Sequence, residues 1–187
     1  MRNFQLIAGG VDVLPLAHAV QRQPELWNAN RFRTTFPNTP HGDVDDIWLR
    51  FSDASKCTTT TNVIGDDHPV WHPAAAKLPQ AKVLVLDLMR RVDGYELGRL
   101  LITRLRPGGR ILPHVDKDGD YVQTPDRVRY HVVLQGLPGS LYRCGDETIC
   151  MRSGEVWWFR PDVEHEVINN SADDRIHLLV DVRTWPS

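Results

Sequence analysis

No stretch of the 187 residues approaches the run of about 18–20 apolar residues that a membrane helix requires. Nor does the N-terminus carry a basic segment followed by an apolar one, as a secretory leader would. These absences lead us to expect a soluble, cytoplasmic protein with no membrane partner. Neither sign of charge dominates: 22 basic residues stand against 24 acidic ones, which argues against a general basic field for nucleic acid. Cysteine is scarce as well. Cys57, Cys144 and Cys150 form no CxxC pair and leave one thiol over in any disulfide scheme, so a reducing compartment fits better than a disulfide framework. Cys144 and Cys150 flank Gly145-Asp-Glu-Thr148, a plausible hairpin turn, and read as small core residues. There is no internal repeat and no low-complexity tract. The length suits a single domain with a sizeable core.

The first half of the chain is mixed. Phe4 to Ala8 suits a short strand, ended by Gly9-Gly10. Asp12 can cap a helix running to about Arg22, with Pro15 in its first turn and Leu14, Ala17, His18 and Gln21 at helical spacing. Pro24 to His41 is rich in Asn, Thr, Arg and Pro and reads as a loop. Asp46 to Ser52 alternates like a half-buried strand. Asp53 to His72 is polar, with Thr58 to Thr61 in a row, and loops of that length within a small domain are usually functional or disordered. Its His68 and His72 have ligand spacing for a helix, but the prolines within and after the pair argue against one. After Pro79, the residues Val83, Leu86 and Met89 repeat at helical spacing and suggest a core-packing helix, closed by Arg90-Arg91 and Gly94.

From about Leu97 the pattern changes to short apolar stretches separated by turns. Eight strands are expected: 100–105, 110–115, 128–135, 140–144, 148–152, 155–159, 165–169 and 175–183. Such a series points to a mainly β fold, a double-stranded β-helix of the jelly-roll or cupin-like kind. We therefore expect one domain, with residues 1–97 as an N-terminal α/β lobe with long polar loops and residues 98–187 as the jelly-roll core.

The core carries candidate ligands. His114 and Asp116 are two residues apart on an extended strand, so their side chains point to one face. His165 opens a later strand. Two histidines and one carboxylate on a β scaffold, with coordination positions left open, form the facial triad that suits non-haem Fe(II) oxygenases. Strand alternation places other polar groups. Arg127, Arg129, His131 and Val133 share a face, as do Arg175, His177, Leu179 and Asp181, and Leu101, Thr103 and Leu105. Arg175 should open a strand paired in hairpin fashion with the one starting at His165, close to the metal. A buried arginine needs a carboxylate. Asp146, Asp173 or Asp174 could supply it from within, or an acidic co-substrate such as 2-oxoglutarate from outside.

The segment 101–183 resembles the Fe(II)- and 2-oxoglutarate-dependent aspartyl/asparaginyl β-hydroxylase family. The resemblance is carried by Arg-Pro-Gly-Gly-Arg-Ile-Leu-Pro-His114, Arg129-Tyr-His131, Cys144-Gly-Asp-Glu, Gly154-Glu-Val-Trp-Trp-Phe and His165-Glu-Val-Ile-Asn-Asn, with Arg175 ten residues on. It implies that His114 and His165 bind iron, that Arg175, with Thr103, holds the distal carboxylate of 2-oxoglutarate, and that Arg129 and His131 contact its metal-proximal end. Asp116 departs from the pattern of the best-known members, which lack a carboxylate there.

A 2-oxoglutarate-dependent dioxygenase, a hydroxylase acting on a C–H bond and yielding succinate and CO2, is the function expected. Its partners would be O2 and a protein, peptide or small-molecule substrate. A cupin-type metal enzyme that does not use 2-oxoglutarate, or a non-catalytic binding module, would require neither Arg175 nor the pair Arg129 and His131. Trp48 and Trp71, beside polar loops, are candidates for substrate contact, and one of the segments 30–46 and 53–72 should border the mouth of the site.

Overall fold

The computed structural model describes residues 1–56, 59, 68–116 and 127–185. Cys57, most of the threonine run and most of the stretch between the expected strands 110–115 and 128–135 lie outside them. Among the described residues the strands are β1 (Phe4–Ala8), β2 (Val44–Phe51), β3 (Val70–Trp71), β4 (Gly94–Leu105), β5 (Arg110–His114), β6 (Arg127–Gln135), β7 (Ser140–Cys144), β8 (Glu147–Ile149), β9 (Val156–Phe159), β10 (His165–Asn169) and β11 (Arg175–Thr184). The helices are α1 (Leu14–Gln21), α2 (Phe32–Thr35), α3 (Pro73–Lys77) and α4 (Ala81–Arg91). No helix of the described residues is long and apolar enough to cross a membrane.

The strands form two antiparallel sheets. The larger runs β1-β9-β6-β11-β4-β2-β3, and the smaller runs β5-β10-β7-β8. This is the double-stranded β-helix expected. Strands from the first 97 residues belong to the larger sheet, β1 beside β9 and β2 beside β4.

Alternation along β11 assigns its two faces. Ile176, Leu178, Val180 and Val182 pack against the helical side with Leu16, Val20, Leu84 and Leu88. Leu178, Val180 and Val182 are fully buried, and each contributes about 1.5–3 kcal/mol relative to exposure. Arg175, His177, Leu179 and Asp181 share the opposite face. Between the sheets Leu105, Val133, Tyr142, Trp157, Phe159 and Val167 make a second core.

Several expectations are corrected. In α4 the buried stripe is Ala81, Leu84, Val85 and Leu88, while Val83 and Leu86 are exposed. The helix has two apolar stripes, and the one with four members at i, i+3, i+4 and i+7 faces the sheet. In α1 the buried residues are Leu16, Ala19 and Val20, and Leu14 is exposed. Val13 is the N-cap, though the Asp12 carboxylate accepts the Leu14 N–H at 3.2 Å. The strands β10 and β11 do not form a hairpin. The turn between them crosses from the small sheet to the large one, pinned by Asn169 Nδ2, which donates to Leu105 O at 2.8 Å and Asp173 O at 2.9 Å.

Candidate metal centre

His114 ends β5 and His165 opens β10, directly opposite each other across an antiparallel pair. The register shifts between His165 and Val167. Pro113 lies in that irregular stretch of β5, where no ladder N–H is needed, and such irregularities re-aim side chains. Asp116 follows the strand, and its backbone N–H donates to Pro161 O at 3.0 Å, tying it to the turn that leads into β10. One ligand atom from each of His114, Asp116 and His165 lies within 4.8 Å of the others.

The ring nitrogens are arranged for a cation. His114 Nδ1 is 2.8 Å from Leu112 O, and His165 Nδ1 is 2.9 Å from Val163 O. A carbonyl only accepts, so each Nδ1 carries the proton and each Nε2 presents its lone pair. Metal-ligating histidines are oriented in this way. Burial, and then the neighbouring His114, lower the His165 pKa and keep its ring neutral, the form that ligates. Asp116 Oδ1 is 3.8 Å from His114 Nε2. This N,N,O donor set fits a divalent ion such as Fe(II).

The same cavity is lined by Thr103, Arg129, His131 and Arg175, together with Tyr142 and Phe159. Arg175 is 3% exposed, and among the described residues it has no carboxylate partner. Asp146 pairs with Arg2, Asp174 lies 3.7 Å from Arg104, and Asp173 accepts the Asp174 N–H. None of the three reaches Arg175. Its contacts are His177 Nδ1 at 3.0 Å and the Tyr142 ring face at 5.7 Å. Burial pulls its pKa down to about 10, which still leaves a cation at neutral pH. A buried charge without a counter-ion is costly. The side chain therefore fits an anionic ligand.

Arg129 differs. Its Nε and Nη2 donate to Asp181 Oδ1 and Oδ2 at 2.7 and 2.8 Å, so two of its donors are already taken. Burial works against its charge, but Asp181 outweighs burial and raises the pKa. His131 Nδ1 lies 3.3 Å from His177 Nδ1. Burial, with Arg175 and Arg129 nearby, holds His131 neutral by lowering its pKa well below the usual value. Thr103 is buried in the cavity wall.

Four residues here escaped the sequence reading as site residues. Arg33 and His41 line the cavity from the N-terminal half. Arg33 forms a buried bidentate pair with Asp46, with both distances 2.7 Å. His41 is brought in where Leu112 N–H donates to Pro40 O at 3.0 Å, a long-range contact that no local pattern announces. Burial, then Arg33 and His114, keep His41 neutral. Tyr142 was visible as an aromatic on β7 with no sign of its direction. Strand alternation groups His177 with Arg175, Leu179 and Asp181 but gives it no role.

The candidate tryptophans do not enter the cavity. Trp48 is buried against Phe51, Leu101 and Leu179, and Trp71 lines a separate apolar groove with Leu78, Leu86 and Met89. His72 precedes α3 and bonds Ser52 O. Cys144 and Cys150 are free thiols that donate to Arg160 O and Leu137 O, and burial pushes Cys144 up to about 11.

Comparison with known proteins bears on this site. The model of the aspartyl/asparaginyl β-hydroxylase family matches residues 40–184. Among solved structures, an oxidoreductase of the 2OG-Fe(II) oxygenase family from Burkholderia pseudomallei aligns over 99% of this chain and 86% of its own, at 15% identity and a TM-score of 0.56. A prolyl-4-hydroxylase from Pseudomonas putida aligns over 98% of this chain and 94% of its own, at 16% identity and a TM-score of 0.54. HygX from Streptomyces hygroscopicus, solved with nickel and 2-oxoglutarate bound, aligns over 98% and 84%, at 14% identity and a TM-score of 0.53. At such identities the structural likeness is one of fold.

Proposed function

The chain belongs to the aspartyl/asparaginyl β-hydroxylase family, which makes it an Fe(II)- and 2-oxoglutarate-dependent hydroxylase, and we propose that His114, Asp116 and His165 hold its iron while Arg175 anchors its 2-oxoglutarate. One observation carries this reading. Arg175 is a buried guanidinium without a carboxylate partner in the wall of the cavity that the three ligands line.

Bound together, iron and 2-oxoglutarate supply the oxidant: the co-substrate leaves as succinate and CO2, and one oxygen atom of O2 enters a substrate C–H bond. The protein's part is to bind, orient and exclude. His114 and His165 offer Nε2 lone pairs, fixed by their Nδ1–H bonds to backbone carbonyls. Asp116 would add a negatively charged oxygen to the two imidazole nitrogens, and the three side chains would leave room at the metal for other ligands. The Arg175 guanidinium would hold the distal carboxylate, and the Thr103 hydroxyl, in the wall of the same cavity, could donate to that group. His131 and Arg129 border the metal-proximal end. Phe159 and Leu179 supply apolar wall that keeps water away from the reacting carbon.

Substrate enters beside Arg33 and His41, the cavity residues from segment 30–46. Arg33 keeps its charge paired with Asp46, whereas His41 is neutral and offers a hydrogen bond without a net charge. A protein or peptide side chain is the substrate class we favour. Anaerobic loading with Fe(II), followed by 2-oxoglutarate, O2 and candidate peptides, tests the reading. It requires succinate together with a +16 mass shift of the substrate. Succinate formation unaffected by Arg175→Ala would overturn the assignment of the anchor.

A further inference from the structure

The arginines lining the inner face are held in two different ways. Arg129 is held by a carboxylate, Asp181, and Arg175 by a neutral imidazole, His177, although Asp181 and His177 lie on the same face of β11. We propose that His177 is a positioning residue that aims the Arg175 guanidinium into the cavity without neutralising it, so that the charge remains available to an incoming carboxylate. The proposal rests on the reading of Arg175 as co-substrate anchor.

Hydrogen-bond roles fix the tautomers of both histidines. Arg175 Nη2 lies 3.0 Å from His177 Nδ1, and a guanidinium can only donate. His177 Nδ1 must therefore carry its lone pair, with the ring proton on Nε2. His131 Nδ1 lies 3.3 Å from that same nitrogen. Two lone pairs facing each other at this distance would repel, so His131 carries its own proton on Nδ1. One acceptor atom thus organises both neighbours, each of which lines the cavity that His177 itself does not reach.

Burial makes this arrangement expensive unless it does something. His177 is 1% exposed, and its Nε2 has no partner among the described residues. Leu179, the next residue on the same face of β11, is a buried apolar side chain and shows that this face accepts one. Leucine at 177 would avoid the unsatisfied N–H. Aspartate there would satisfy Arg175 completely, as Asp181 satisfies Arg129, and would compete with any anionic ligand. A neutral acceptor is the one choice that both fixes the fork and leaves its charge unpaired.

The test uses the full-length protein loaded anaerobically with Fe(II). Binding of 2-oxoglutarate is compared with binding of 2-oxobutyrate, a 2-oxo acid lacking the distal carboxylate. His177→Leu should weaken 2-oxoglutarate about 10-fold, the size expected for losing one hydrogen bond to a charged group. His177→Asp should weaken it further. His177→Asn, whose amide oxygen can stand in for Nδ1, should restore it to within about threefold of wild type, about 0.6 kcal/mol. Binding of 2-oxobutyrate should be unchanged throughout. Nitrogen-15 spectra of the unaltered protein should show His177 protonated on Nε2 alone. The proposal is overturned by an Nδ1-protonated His177, by His177→Leu binding 2-oxoglutarate like wild type, or by equal weakening of the two oxo acids. Arg175→Ala distinguishes the two levels of inference. If that variant binds 2-oxoglutarate normally, the anchor and the proposal both fall; if it binds weakly while His177→Leu does not, only the proposal does.

Discussion

His41 stands edge-on to His114, with ring centroids 5.2 Å apart and planes at 73°. A loop from the N-terminal half therefore reaches the residue that ends β5, and the proposed site implies a separation of roles, with His41 toward the substrate and Arg175 toward the co-substrate.

From that separation we expect His41→Ala to leave iron and 2-oxoglutarate binding within about twofold of wild type. The catalytic efficiency toward the substrate should fall about 10-fold, equivalent to roughly 1.4 kcal/mol of transition-state stabilisation. Parallel binding titrations and steady-state assays check this. A loss of iron affinity would place His41 with the metal instead.

Arg175→Leu should act in opposite directions on stability and binding. Removing an unpaired buried cation should stabilise the metal-free protein by about 1–2 kcal/mol, or about 2–8 °C in Tm. Binding of 2-oxoglutarate should weaken by about 2–5 kcal/mol, at least about 30-fold. Thermal melts of the free protein and a 2-oxoglutarate titration read the two effects. A lower Tm would mean that the guanidinium is already satisfied.

Asp181→Asn is the converse case. It leaves Arg129 without its carboxylate, and breaking a buried pair costs about 3–5 kcal/mol. Arg129 retains some solvent contact, so about 3 kcal/mol is expected, lowering Tm by about 6–12 °C. A Tm unchanged within about 2 °C contradicts the structural role given to this pair.

Thr103→Val removes one hydroxyl from the buried cavity wall at nearly constant shape. One hydrogen bond to a bound carboxylate is worth about 1.5–3 kcal/mol, so the KM for 2-oxoglutarate should rise about 10-fold or more. An unchanged KM would leave Arg175 as the sole anchor.

The faces of the barrel strands were legible because alternation is local. Arg175, His177, Leu179 and Asp181 could be grouped from β11 alone, and His114 with Asp116 from their spacing. Local patterns could not say which sheet a strand would join. The turn at 170–174 looked like a hairpin but crosses between sheets, so Arg175 comes to the cavity from the sheet opposite His165. In α4, two apolar stripes competed, and only packing against β4 decides between them. His41 was invisible for a different reason. It lies in a proline-rich loop without periodicity, and the bond between Leu112 and Pro40 that positions it spans distant parts of the chain.

The central claim is a single centre in which His114, Asp116 and His165 hold Fe(II) beside the 2-oxoglutarate anchored by Arg175, and Asp116 tests it most directly. Iron titration under anaerobic conditions should show one tight site in the wild type. In Asp116→Gly the affinity should fall about 10-fold or more, because the backbone bond to Pro161 and the two oriented imidazoles are arranged around a negatively charged ligand. Adding 2-oxoglutarate to the iron-loaded wild type should produce a visible charge-transfer absorption that the variant largely lacks. Unchanged iron affinity and an undiminished absorption in Asp116→Gly would contradict the account, leaving a centre built on two histidines alone.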